Sequence, residues 1–114
     1  MRMWNVDPKT MCRMHLLGEH LEMHMFAGCI RTGRPLSGYI KAGLVEPAKV
    51  KLRHDALAEE MLRRGYAHCS PLTHTPNGLS GGCVDPENSR KILRDRCPRC
   101  RQLQDEKERN YANL

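Results

Sequence analysis

Aromatic side chains are scarce in this chain, one Trp, three Tyr and one Phe among 114 residues, against seven Met. Proteins that hold single strands by stacking bases need several exposed rings, so that class is set aside. A core built on Met packs adaptably and with few large rings. Long apolar runs are also lacking. No window is long or apolar enough to cross a bilayer, and Met1-Arg-Met-Trp-Asn-Val-Asp-Pro8 has no apolar leader core, so a cytoplasmic protein without a membrane partner is expected. Strand-like alternation and internal repeats are missing too, which leaves a mainly α fold.

What is present fits one small domain with a modest core. Asp7-Pro8 is a helix entry, a capping acceptor before a proline at the first helical position, and the helical pattern runs from there to about Thr32. Gly33, Pro35, Ser37, Gly38 and Gly43 mark an irregular stretch through Glu46. A second helix follows Pro47, with Val50, His54, Leu57, Ala58, Met61 and Leu62 at helical spacing and Gly65 closing it. His68 to Gly82 reads as loop. A third helix opens at Asp85-Pro86-Glu87 and runs to about Arg96, anchored by Ile92 and Leu93. The expectation is a three-helix single domain over residues 1–100, monomeric and with long loops. Residues 101–114 form a charged tail for which helix, frayed chain and disorder all remain open.

The first helix gathers ionisable groups on a narrow face. His15, Glu19, Glu22 and Phe26 fall in one line. Met14, Leu17, Leu21, Met25 and Gly28 make an apolar stripe to one side, and Cys12, Leu16, Met23 and Ile30 lie on the other. A carboxylate walled by apolar surface suggests a crevice; a solvated acidic face on an ordinary amphipathic helix is the plainer alternative.

The net charge of +6 points to a polyanion. Arg90, Lys91, Arg94, Arg96, Arg99 and Arg101 occur with only Asp95 among them, and Lys49, Lys51 and Arg53 form a second group, a distribution that suits phosphate backbones. The candidate phosphate contacts are Arg2, Lys49, Arg53, Arg90, Lys91 and Arg94, with a merely soluble basic surface as the alternative.

Six cysteines in a reducing compartment read as buried thiols or metal ligands rather than disulfides. Cys97-Pro-Arg-Cys100 has the spacing of half a zinc site, and Cys83, with His68, Cys69 or His74, offers the rest of a tetrahedral set. Structural zinc and inert thiols are both open, and Cys12 and Cys29 read as core filler. His20-Leu-Glu-Met-His24 puts two imidazoles one turn apart, but Glu22 stands one place too late for H-E-x-x-H, so a zinc protease is set aside. A zinc deaminase is set aside as well, because the proline of its cysteine motif precedes the first cysteine, whereas here it is Pro98. His20 and His24 read as phosphate-facing or surface groups, and His54 as a core histidine.

Taken together, His15-Leu16-Leu17-Gly18-Glu19, then Glu22, the Ala27-Gly28 pair, and Leu52-Arg53-His54 through Glu60-Met61-Leu62-Arg63-Arg64-Gly65-Tyr66 resemble the phage pyrimidine-dimer DNA glycosylases of the endonuclease V type. The likeness runs from about Cys12 to Leu72. It implies a DNA repair glycosylase with a coupled abasic-site lyase step on duplex DNA, needing no cofactor, and a location in the host cytoplasm if phage-encoded. In such an enzyme an N-terminal α-amine attacks the sugar carbon bearing the damaged base, and the resulting imine permits strand elimination. A free α-amine has a pKa of about 8, so a useful fraction is nucleophilic without tuning. Carried over by position, Glu22 stabilises the cationic sugar and moves protons, His15 belongs to the site, and the amine is that of Met1.

Two departures stand out. The family carries arginines just before the catalytic glutamate and three residues after it, where this chain has Leu21 and Met25. Its amine is usually exposed by removal of Met before a small residue, whereas Arg2 is large and should leave Met1 in place. A non-enzymatic basic DNA-binding protein of the same fold, zinc-stapled or not, is the second reading. An interaction protein aimed at a host partner is the third.

Overall fold

The computed structural model describes residues 1–68, 70–73 and 80–112. Five α-helices follow one another: α1 (Arg13–Thr32), α2 (Ser37–Lys41), α3 (Val50–Arg63), α4 (Pro86–Arg96) and α5 (Pro98–Ala112), with 3-10 turns at Pro8–Thr10 and Pro47–Lys49. No strand occurs among the described residues. The fold is mainly α as expected, and the described residues form five helices where three were expected. No helix among the described residues is long and apolar enough to cross a membrane.

The helix entry at Asp7-Pro8 builds only a local turn. Asp7 caps the Lys9 N–H at 3.0 Å, and the backbone is extended again at Met11. Tertiary contacts override the local signal there: the Met11 side chain is fully buried, and the carbonyls of Pro8 and Met11 accept from the Arg64 guanidinium at 3.1 and 2.7 Å. Helix α1 starts afresh behind Cys12, whose sulfur accepts the His15 N–H. It ends at Gly33, whose φ of 74° lies in the left-handed region that glycine enters without steric cost.

Helices α1 and α3 pack on each other. Leu16, Met23, Phe26, Leu57 and Met61 bury the apolar part of that contact, joined by Met3, Met11, Val45 and Val50. Its remaining positions are polar: Glu19 and His20 from α1, Arg53, His54 and Glu60 from α3. Of the apolar stripe on α1, Met14, Leu21 and Met25 are 69, 61 and 48% exposed and lie outside the core.

Helix α4 opens as predicted, with Asp85 capping Glu87 and Asn88 and Pro86 at the first position. It breaks at Cys97 because Pro98 disfavours helical backbone in the residue before it. The following segment is a helix through Ala112 and not a frayed tail; it buries Cys100 and Gln104 and packs against α4 and the Pro8–Thr10 turn. Lys107 reaches Asp7 at 2.6 Å to pin it there. Upstream, Gly82 (φ 82°) passes so close to the Val45 carbonyl that an added Cβ would stand 2.3 Å from its oxygen, which fixes the approach of the chain to α4.

Candidate active site

Residues 1–6 have no regular structure, yet Met3, Trp4 and Val6 are buried. Three backbone hydrogen bonds tie this arm to the rest of the fold. The Met3 N–H donates to the Leu44 carbonyl at 2.7 Å, the Trp4 N–H donates to Glu19 Oε2 at 3.0 Å, and the Val6 carbonyl accepts from Arg53 Nη1 at 2.7 Å. Glu19 and Arg53 are themselves a buried two-pronged ion pair, with contacts of 2.7 and 2.8 Å. The arm therefore lies along α1, with its first residue over the third turn of that helix.

This placement brings the α-amine of Met1 to 3.9 Å from Glu22 Oε1. Both border a cleft of about 330 Å³ lined by Met1, Arg2, Trp4, Met14, His15, Gly18, Glu19 and Glu22. Gly18 leaves open space where a side chain would stand. Burial pushes the Glu22 carboxyl above the usual carboxylate range, against the opposing pull of the Met1 amine. A larger groove of about 650 Å³ lies between Asn5–Thr10 and α4–α5, but its ionisable groups, Asp7, Glu87, Arg90, Lys107 and Glu108, are largely paired with one another. The smaller cleft is the one that sets the α-amine of the chain beside a half-buried carboxylate.

The candidate phosphate contacts separate into four groups. Arg2 stands at the cleft, its guanidinium 3.9 Å over the Trp4 ring and bonded to Ser89 Oγ at 3.2 Å. Burial, then the charge of Arg96, lowers its pKa, against the opposing pull of Glu19 and Glu22. Lys91 is exposed, and Lys49 is exposed with Glu46 at 3.3 Å. Arg90 is tied to Glu87 and Glu108 at 3.2 and 3.5 Å, and Arg94 to Asp105 at 2.9 Å, so α5 neutralises much of the charge expected on α4. Arg53 is corrected outright: it is buried and spent on Glu19, and it positions the arm instead of meeting DNA.

The histidines are redistributed as well. His20 and His24, expected to face phosphate or solvent, join His54 and His68 in one group. His24 and His54 approach at 3.1 Å between Nε2 atoms, His20 and His68 at 3.0 Å, and the His20 and His54 rings lie 4.7 Å apart between centroids. Burial first, then the neighbouring His54, His24 and His68, brings His20 down to about 4. His54 is a core histidine, fully buried, with Nδ1 at 2.8 Å from Asp55.

The metal-donor set differs from the expected one. Cys83 is exposed and apart from the other donors, and Cys69 and His74 lie outside the described residues. Cys97 and Cys100 meet Cys12 and His15 instead, with one donor atom of each within 4.8 Å of the others. Cys12 is thus not mere core filler. A signal for it was present in the sequence, because Cys12-x-x-His15 repeats the gap of Cys97-x-x-Cys100. His15 turns Nδ1 toward these sulfurs and stands edge-on to Trp4 at 6.0 Å, so it walls the cleft from one side. The Glu19–Arg53 clamp had no local signature, since it joins residues 34 apart.

A family model described as pyrimidine dimer DNA glycosylase matches residues 1–73, which include the whole cleft. Neither a curated protein nor a solved structure matches the chain.

Proposed function

Because the chain belongs to the pyrimidine dimer DNA glycosylase family, we propose that it excises damaged pyrimidines from duplex DNA and then cleaves the abasic strand through an imine on the Met1 amine. The observation that carries this reading is the Met1–Glu22 pair in the cleft. An unprotonated amine there attacks the sugar carbon bearing the base, and the bond to the base breaks. Glu22, ionised, stabilises the cationic sugar; protonated, it supplies a proton. The C1′–O4′ bond then breaks as the ring oxygen takes a proton, leaving an imine on the same nitrogen; the imine acidifies the adjacent sugar carbon, whose proton is removed as the 3′ phosphate leaves.

The target sugar is buried in a duplex, so the DNA must be bent or a nucleotide expelled. Arg2 lines the cleft and is the cation nearest to hand for a phosphate of the bound strand. Leu21 and Met25, exposed on α1 where the family carries arginine, offer apolar contact in place of charge.

The test is strand cleavage of a duplex carrying one pyrimidine dimer. Glu22→Gln should reduce cleavage by about a hundredfold or more at nearly unchanged DNA affinity, since the carboxylate acts on the reaction more than on binding. With wild type, the acidic limb of the pH profile should lie above the ordinary carboxylate range, as burial of Glu22 requires. Equal cleavage by variant and wild type removes Glu22 from the mechanism, and tight binding with no cleavage by either favours a DNA-binding protein without enzyme activity.

A further inference from the structure

We propose that Cys12, His15, Cys97 and Cys100 bind one structural zinc ion that fastens the start of α1 to the α4–α5 corner. The sequence supplies two pairs with a two-residue gap, C-x-x-H and C-x-x-C, and structural zinc sites are assembled from such pairs. The fold brings the pairs together from 85 positions apart. A tetrahedron with zinc–sulfur arms of about 2.3 Å spaces its sulfurs about 3.8 Å apart, and slightly less between sulfur and nitrogen. Cys12 and Cys97 stand 3.8 Å apart between sulfurs, and His15 Nδ1 is 3.2 Å from the Cys12 sulfur and 3.6 Å from that of Cys100.

The surroundings suit thiolates. The N–H of Cys12 points at the Cys100 sulfur at 3.3 Å, that of Cys100 at the Cys97 sulfur at 3.4 Å, and that of His15 at the Cys12 sulfur at 3.5 Å. Such donors orient the ligands and offset their charge. All three cysteines are buried, so the four protein donors complete the coordination and leave no position for a reactive water. On binding, the thiols release their protons to solvent while the imidazole coordinates as its neutral form.

The site has a consequence for the cleft. His15, spent on the metal through Nδ1, is a positioning residue whose ring edge supports Trp4, and Trp4 is the arm residue held by Glu19. The ion therefore stiffens the arm that carries the amine. The proposal stands apart from the glycosylase reading, which is tested on DNA and not by metal content.

The full chain, produced with zinc under reducing conditions and dialysed, should carry one zinc ion in native mass spectrometry. Replacement by cobalt should give a thiolate-to-cobalt charge-transfer band with the d–d bands of a tetrahedral ion. Cys97→Ser should lose that stoichiometry, Cys83→Ser should keep both ion and spectrum, and His15→Cys should keep the ion and strengthen the charge-transfer band. The wild-type cobalt spectrum decides the matter even if Cys97→Ser does not fold. No bound ion after reconstitution overturns the proposal; so does cobalt bound by nitrogen alone, which would put it on His20, His54 and His68.

Discussion

Arg53 holds both carboxylate oxygens of Glu19, Nε to Oε2 at 2.7 Å and Nη2 to Oε1 at 2.8 Å, and through that pair α3 grips the N-terminal arm. The same Oε2 takes the Trp4 N–H, and the same guanidinium gives Nη1 to the Val6 carbonyl. Two helices and the arm thus share one buried polar junction, three residues from the Met1 amine. Removing one partner leaves an uncompensated buried charge, which is strongly destabilising, whereas removing both is much milder.

Arg53→Met should therefore lower the unfolding free energy by about 3–5 kcal/mol, and Glu19→Gln/Arg53→Met should recover part of that loss. Denaturant unfolding of the two variants measures both effects. A loss for Arg53→Met within the range of an ordinary surface change, about 0.5 kcal/mol, would show that the junction does not hold the arm.

The histidine group makes stability depend on pH. His20, pressed by burial and by His54, His24 and His68, has a folded pKa of about 4 against an ordinary 6.5. Between those values the unfolded chain takes up a proton that the folded chain refuses, so the contribution is complete above about pH 6.5 and is lost as pH falls toward 4. The melting temperature should fall over that window by several degrees, and His20→Gln should flatten the fall. A melting temperature that is constant or rises on acidification contradicts a neutral buried His20.

The basic surface gives a prediction about salt. Each phosphate contact adds about 0.9 to the slope of log affinity against log salt. Arg90 and Arg94 are tied to Glu108 and Asp105, whereas Lys91 and Arg96 are exposed. The Lys91→Ala/Arg96→Ala double variant should lower the slope by about two, and Arg90→Ala/Arg94→Ala by less, with a lower melting temperature from the lost ion pairs. Titration of duplex DNA at several salt concentrations measures it, and the reverse order would mean that the α5 carboxylates release the α4 arginines on binding.

These residues also show what was legible in the chain. Helices α3 and α4 announced themselves through Pro47, Gly65 and the Asp85-Pro86 cap, because those signals are local and nothing in the tertiary structure opposes them. The turn at Pro8–Thr10 carried an equally good local signal and stopped after three residues, since Arg64 and the buried Met11 side chain draw the backbone into extended form. Glu22 was readable from the helical face and the family likeness. Arg53 was misplaced because a cation beside Lys49 and Lys51 looks like surface until its partner, on another helix, is known. The thiol group was half legible: Cys97 and Cys100 carried their spacing, but their partners came from the opposite end of the chain.

The central claim, that the Met1 amine is the nucleophile beside Glu22, is tested most directly by borohydride trapping on an abasic duplex followed by peptide mass mapping. Intact mass should first show Met1 retained ahead of Arg2. Reduction should then give a covalent protein–DNA adduct with the added mass on the Met1 amine, abolished by prior acetylation of that amine while duplex binding survives. An adduct mapped to a lysine side chain, or trapping undiminished after acetylation, would contradict the account.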